Sequence, residues 1–186
     1  MTLDGDRARL LELLRTLSFE RRKVVLASGR ESDFYIDCKR TALTAEGHAL
    51  IGRVLFDRVR RIRPLVRGVG GLTLGADPIA SAIALTSFLQ GEPVDAYIVR
   101  KEPKGHGTGQ WIEGRKTIPD GSRVVVIEDV VTTGGSALKA IERCRAEKLE
   151  PVACIALVDR LEGGREAIEA QRVPLDALFT RQDFIP

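Results

Sequence analysis

A chain of 186 residues with 44% apolar content is long enough for one well-cored domain and short for two, so a single domain spanning residues 1–186 is expected. Its 29 basic and 26 acidic residues leave a formal charge of only +3, which excludes bulk attraction to nucleic acid or membranes and leaves local clusters to decide what binds. No apolar run approaches a membrane span, residues 1–6 are acidic where an export signal would be basic, and Cys38, Cys144 and Cys154 lack metal-ligand or redox spacing, so a soluble cytoplasmic protein with reduced core cysteines is expected.

In chain order, Leu10, Leu13, Leu14 and Leu17 carry the spacing of one buried helix face, with Asp4 or Asp6 near the helix start. Residues 27–37, Ala-Ser-Gly-Arg-Glu-Ser-Asp-Phe-Tyr-Ile-Asp, combine a polar turn with a short aromatic strand. Aromatics beside a turn could stack on a planar base, although paired strand aromatics serve a core equally well. Residues 44–61 read as a helix capped by Thr44, with Leu50, Ile51, Val54, Leu55 and Val59 inward and the arginines at 53, 58, 60 and 61 on a solvated face. A short apolar strand is expected over residues 65–69. Gly68, Gly70, Gly71 and Gly75 would then form a compliant turn, and Asp77-Pro78 would cap and open a helix to about residue 89. The backbone N–H groups of such a turn suit an anion such as a diphosphate.

Residues 94–99 form the next strand. The stretch 100–119 then shows no sustained period, four glycines, and the cations Arg100, Lys101, Lys104 and His106. Structureless runs of this length within compact domains are typically lids, and a cationic one suits closure over an anionic substrate. His48, by contrast, lies within a helical pattern.

The strongest stretch is 123–136, Arg-Val-Val-Val-Ile-Glu-Asp-Val-Val-Thr-Thr-Gly-Gly-Ser. A β-branched run over 124–127 predicts a strand buried on both faces, and Ala137, Ala140, Ile141 and Cys144 give the helix that follows one apolar face. Between them stand Glu128 and Asp129, then a small-residue loop. The loop lacks the lysine of a Walker motif. Carboxylates accept hydrogen bonds from vicinal hydroxyls, and a glycine loop opening a helix holds phosphate. A sugar diol with a nearby phosphate, such as ribose 5-phosphate, meets both demands. Further on, residues 152–158 predict a buried strand ending at Asp159-Arg160, whose guanidinium could fork a planar anion, and residues 175–179 an edge strand.

Residues 124–136 resemble the ribose-phosphate signature of type I phosphoribosyltransferases, which use 5-phosphoribosyl 1-diphosphate with Mg²⁺. The segment Arg100-Lys-Glu-Pro-Lys-Gly-His-Gly resembles the catalytic loop of the orotate phosphoribosyltransferases. Residues 28–37 are similar to that family's orotate-side segment, and residues 70–79 to its diphosphate-side loop. The resemblance implies an α/β fold with a central, mainly parallel sheet flanked by helices, a small hood from about residues 1–40, and a mobile catalytic loop over about 100–119. It implies Lys101, Lys104, His106 and Asp129 as catalytic residues, with Arg100, Lys101, Lys104 and His106 on the diphosphate. Glu128 and Asp129 would take the ribose hydroxyls, and Val130, Val131, Thr132, Thr133, Gly134, Gly135 and Ser136 would complete the phosphoribosyl diphosphate site. Thr132, Arg160, Phe34 and Tyr35 would face orotate. It implies Mg²⁺ held mainly through substrate, and a homodimer whose loop is shared between subunits.

Two lysines common in that family are replaced here by Ala27 and Leu74, so backbone amides near residues 72–75 and the cationic loop are expected to serve instead. The implied reaction is transfer of the phosphoribosyl group to orotate in pyrimidine nucleotide synthesis. The alternatives are transfer to another base, against which the loop and Arg160 argue, and a non-catalytic sensor of phosphoribosyl diphosphate, which would have no need of the loop cations.

Overall fold

The computed structural model describes residues 2–25, 31–62, 64–103 and 109–185. Helix α1 (Leu3–Leu13) is capped by Thr2, whose side chain accepts from the Gly5 N–H, and continues into a π-helical turn, Leu14–Ser18. The extra residue in that turn ends the 3.6-residue period. Leu10 and Leu14 are buried, but Leu17 is turned out to solvent, against the single buried stripe expected. An antiparallel ribbon of β1 (Phe19–Val25) and β2 (Glu31–Ile36) follows.

After α2 (Lys39–Ala42), helix α3 (Ala45–Val59) starts where expected, with the Thr44 hydroxyl accepting from the Gly47 N–H at 3.0 Å. Its five-residue stripe is buried. Its arginines are not simply solvated. Arg53 grips buried Asp6 through Nε and Nη2 at 2.6 and 3.2 Å, and Arg58, Arg60 and Arg61 pair with Asp176, Glu92 and Asp57.

The remaining elements are β3 (Gly68–Leu72), α4 (Ala76–Leu89), β4 (Asp95–Val99), β5 (Ile112–Glu113), β6 (Arg123–Val131), α5 (Gly135–Ala146), β7 (Glu150–Asp159), α6 (Gly164–Glu169) and β8 (Leu175–Thr180). They build a six-stranded sheet in the order β5-β4-β3-β6-β7-β8, parallel except where β5 runs against β4. The segment expected to be a long irregular loop therefore contains a short strand, together with a 3-10 turn at Arg115–Thr117.

Alternation along β6 divides the core between the two faces of the sheet. Val125 and Ile127 pack with α1, α3 and α4, while Val124 and Val126 pack with Ala137, Ala140, Ile141 and Cys144 of α5. All three cysteines are buried and free. Among the described residues, no helix is long and apolar enough to cross a membrane.

Of the glycines expected to form a turn after residues 65–69, Gly68, Gly70 and Gly71 lie instead inside β3, and only Gly75 falls in the turn. A methyl group at Gly70 would stand 2.0 Å from the Tyr97 carbonyl oxygen, and one at Gly71 2.0 Å from that of Ile127. The neighbouring strands leave no room for side chains there. The turn comes later, at residues 73–75, and α4 begins at Ala76, one residue ahead of the expected cap. Asp77 lies in its first turn and accepts from the Thr73 hydroxyl at 2.6 Å.

Candidate active site

From β3 the chain crosses to β4 on one side, then returns to β6 on the other. Ligands of open α/β sheets bind at such a switch point, outside the carboxyl ends of the strands. Two loops diverge here, residues 73–75 after β3 and residues 132–134 after β6. The first of them reaches the end of β6: a methyl group built on Gly75 would lie 2.5 Å from Cγ and from both carboxylate oxygens of Asp129. The β3 turn is thus packed directly on Asp129, at the end of the strand that leads into the second loop.

Glu128 is buried on β6, and its carboxyl is pushed up to about 9, first by burial and then by the neighbouring Asp129 charge. The unliganded acidic pair therefore carries a proton at neutral pH, which limits its repulsion of a phosphorylated ligand. Asp129 is held from two sides. Its Oδ1 accepts from the Val130 N–H at 2.9 Å, and its carbonyl accepts from the Cys38 thiol at 3.8 Å. Burial raises that thiol well above its ordinary range, so Cys38 braces the strand end and is no nucleophile. Lys39, next in the chain, pairs with Asp37 at 2.6 Å and lies within electrostatic reach of Asp129. Asp37-Cys-Lys reads in sequence as a plain strand end, so nothing local marks this cation.

A cavity of about 210 Å³ is lined by Glu128, Val130, Val131, Thr132, Thr133, Gly134, Gly135 and Ser136. Of the expected ribose-phosphate residues 128–136, all but Asp129 line this hollow. Gly134 caps α5 at φ +83°, and its backbone abuts Gly164, the first residue of α6. The first N–H groups of α5 have no partner within the helix and open toward the loop.

Ser136 also lines an adjoining cavity of about 430 Å³ with Arg100, Lys101, Trp111, Lys139 and Arg143. Arg100 closes the base of the cationic segment: its N–H donates to the Trp111 carbonyl at 2.9 Å and its Nη1 pairs with Glu113 at 3.2 Å. Lys101 is exposed and also borders a third cavity, with Thr73 and Asp77, on the side of the β3 turn. The Arg143 guanidinium sits 3.6 Å from the centre of the Trp111 ring, joining this segment to α5. Neither residue stood out in the sequence. Lys104 and His106, like Ala27, lie outside the described residues.

Arg160 leaves the end of β7 with its N–H on the Val131 carbonyl at 2.9 Å, which fixes it beside the phosphate loop. The two aromatics expected to face the base do not offer their rings to it. Phe34 is fully buried among Phe19 and Phe184, with the Arg160 guanidinium 5.4 Å above its ring, so it supports the arginine from beneath. Strand alternation turns Tyr35 to the other face of the ribbon, where Arg22 covers its ring at 3.9 Å. Among the described residues, no three His, Cys, Asp or Glu side chains converge as a metal cage.

A family profile described as phosphoribosyl transferase domain matches residues 69–175. The orotate phosphoribosyltransferase of Sorangium cellulosum is 54% identical over 182 residues, 98% of this chain and 94% of that protein. Among solved structures, Mycobacterium tuberculosis orotate phosphoribosyltransferase in complex with Fe(III) dicitrate superposes with a TM-score of 0.84. It has 42% identity, covering 97% of this chain and 99% of that one. The same enzyme in complex with 5-phospho-alpha-D-ribosyl 1-diphosphate gives a TM-score of 0.79 at 41% identity, covering 96% and 98%.

Proposed function

The chain belongs to the orotate phosphoribosyltransferases, and we propose on that footing that its switch-point cleft transfers the 5-phosphoribosyl group of 5-phosphoribosyl 1-diphosphate to orotate. Orotidine 5′-phosphate and diphosphate are the products, a step of pyrimidine nucleotide synthesis. The observation that carries this reading is the convergence of the acidic pair, the phosphate loop and the β3 turn, with Asp129 seated on Gly75.

Glu128 and Asp129 take the ribose hydroxyls. The loop from Thr132 to Ser136, with the first turn of α5, takes the 5-phosphate. The β3 turn and the cations of residues 100–106 receive the diphosphate. As the bond from the anomeric carbon to diphosphate breaks, positive charge grows on the ribose ring and negative charge on the leaving group. Arg100 and Lys101, together with Lys104 and His106 of the same sequence segment, would stabilise the latter. Asp129, taking a ribose hydroxyl, would offset the former. Mg²⁺, when present with the substrate, would supply charge neutralisation on the diphosphate that Arg100 and Lys101 also face. Orotate arrives as an anion with a nucleophilic ring nitrogen, so the site needs no strong base. Arg160 matches its carboxylate with a planar fork, and Thr132 lies beside it.

The same reading includes a cytoplasmic homodimer. Leu85, Phe88 and Leu89 stand 55%, 71% and 74% exposed on the outer face of α4, the helix that begins at the β3 turn. That apolar face stands in the last turns of α4, roughly 15–20 Å along the helix from the β3 turn, and a second copy covering it would remove it from water. The proposal is tested by offering the protein orotate, uracil, adenine and hypoxanthine in turn with phosphoribosyl diphosphate and Mg²⁺. Orotate alone is expected to be consumed; turnover of another base in its place removes the substrate assignment.

A further inference from the structure

Arg160 does not stand by itself at the end of β7. Its Nε and Nη2 donate to one oxygen of Glu162 at 3.0 and 2.9 Å, and the two side chains are only 9% and 13% exposed. Residues two apart along an extended strand point the same way but are separated by the strand's rise, so the backbone must fold for Glu162 to reach its neighbour's guanidinium. The fold is built in. Leu161 adopts φ +59°, a region side-chain-bearing residues rarely enter, and its N–H donates to Asp159 Oδ1 at 2.8 Å. Asp159 is fully buried and is held in turn by Arg165 at 3.5 Å. Gly163 follows at φ +91°. A methyl group on Gly164 would meet the Thr132 carbonyl oxygen at 2.6 Å, so the turn is pressed against the phosphate loop.

We infer that Glu162 is a positioning residue for orotate: it fixes the Nε–Nη2 edge of Arg160 over the Phe34 ring, so that the guanidinium meets the substrate carboxylate in one preset orientation. This rests on the reading that Arg160 faces orotate. An arginine side chain has several rotors to freeze on binding, and a partner that freezes them beforehand lowers the cost charged to the ligand. The paired carboxylate also offsets the cationic charge of Arg160. The more highly charged diphosphate is thereby steered toward the cations of residues 100–106. Glu162 touches no reacting atom in this scheme. Its effect belongs to orotate binding and not to the chemical step.

The test compares steady-state kinetics and thermal midpoints of Glu162→Ala, Glu162→Asp, Glu162→Gln and Arg160→Ala. Glu162→Ala and the shorter Glu162→Asp are expected to raise the KM for orotate on the order of tenfold while kcat and the KM for phosphoribosyl diphosphate stay within about threefold. Glu162→Gln, which keeps an acceptor in place, is expected to return the orotate KM to within about threefold of wild type. If Arg160→Ala raises the orotate KM and neither Glu162→Ala nor Glu162→Asp does, the inference is overturned. It is equally overturned if both substrates' KM values rise together, which marks a purely structural role. If Arg160→Ala itself leaves the orotate KM unmoved, the assignment of Arg160 to orotate fails first.

Discussion

Replacing Glu128 by glutamine keeps the size of the side chain and removes its titration. In the folded protein the Glu128 carboxyl is pushed from 4.5 to about 9, chiefly by burial and next by Asp129. An acid whose folded pKa exceeds its unfolded one is protonated in the folded state and ionised in the unfolded state between the two values. Folding then takes up a proton, and stability falls as pH rises. The cost is absent below about pH 4.5 and grows toward pH 9 at about 1.4 kcal/mol per unit. From about pH 5 to about pH 8 it reaches about 4 kcal/mol, on the order of 10 °C in melting midpoint for a chain of this size. Thermal melts of wild type and Glu128→Gln at the two pH values should therefore diverge, the variant gaining most at the higher one. Parallel pH profiles would refute the assignment of a buried, protonated Glu128. The same proton reports on the ligand. Ribose hydroxyls that donate to Glu128 favour its ionised form, so ribose 5-phosphate binding at about pH 8 should release protons from wild type and none from the variant. Calorimetry in two buffers of different ionisation enthalpy measures this directly.

The remaining predictions concern the two loops and the cations. Gly75→Ala places a methyl group 2.5 Å from the Asp129 carboxylate, so that side chain must rotate away. The KM for phosphoribosyl diphosphate is expected to rise on the order of tenfold with little change in melting midpoint, since the displaced atoms end a flexible side chain. An unchanged KM would separate the β3 turn from the acidic pair. Lys101→Ala, at an exposed position, is expected to lower kcat by on the order of tenfold to a thousandfold without destabilising the fold, the range seen when one transition-state donor is removed. Near-normal turnover would take Lys101 out of the chemistry. Leu74→Lys adds a cation at an exposed position of the β3 turn and is expected to lower the KM for phosphoribosyl diphosphate by roughly threefold at low salt; an unchanged KM means that backbone amides already saturate that contact.

How much was legible in the sequence follows from which interactions are local. The run from Arg123 through the α5 stripe could be read almost residue for residue, because strand, acidic pair, loop and helix are consecutive and each has its own composition. Arg160 was placed correctly at a strand end for the same reason. The glycines of β3 were misread because a glycine run carries no side-chain period. Only the approach of the Tyr97 and Ile127 carbonyls, from strands distant in sequence, explains why side chains are excluded there. Phe34 and Tyr35 showed that they lie on opposite faces but not which face is core, since that is decided by Phe184 at the far end of the chain and by Arg22 across the ribbon. Glu162 was overlooked because Glu-Gly-Gly after a strand reads as a solvated turn. Its partner is two residues away but reachable only through the left-handed conformation at Leu161. The Trp111–Arg143 stack and the Lys39 charge are likewise tertiary facts.

The central claim is tested most directly by mixing the protein with Mg²⁺, 5-phosphoribosyl 1-diphosphate and orotate, and following orotate absorbance and diphosphate release together. One orotate consumed per diphosphate released, with the rate lost in Asp129→Asn and Lys101→Ala, is the predicted result. Diphosphate released without loss of orotate, or no reaction at all, contradicts it.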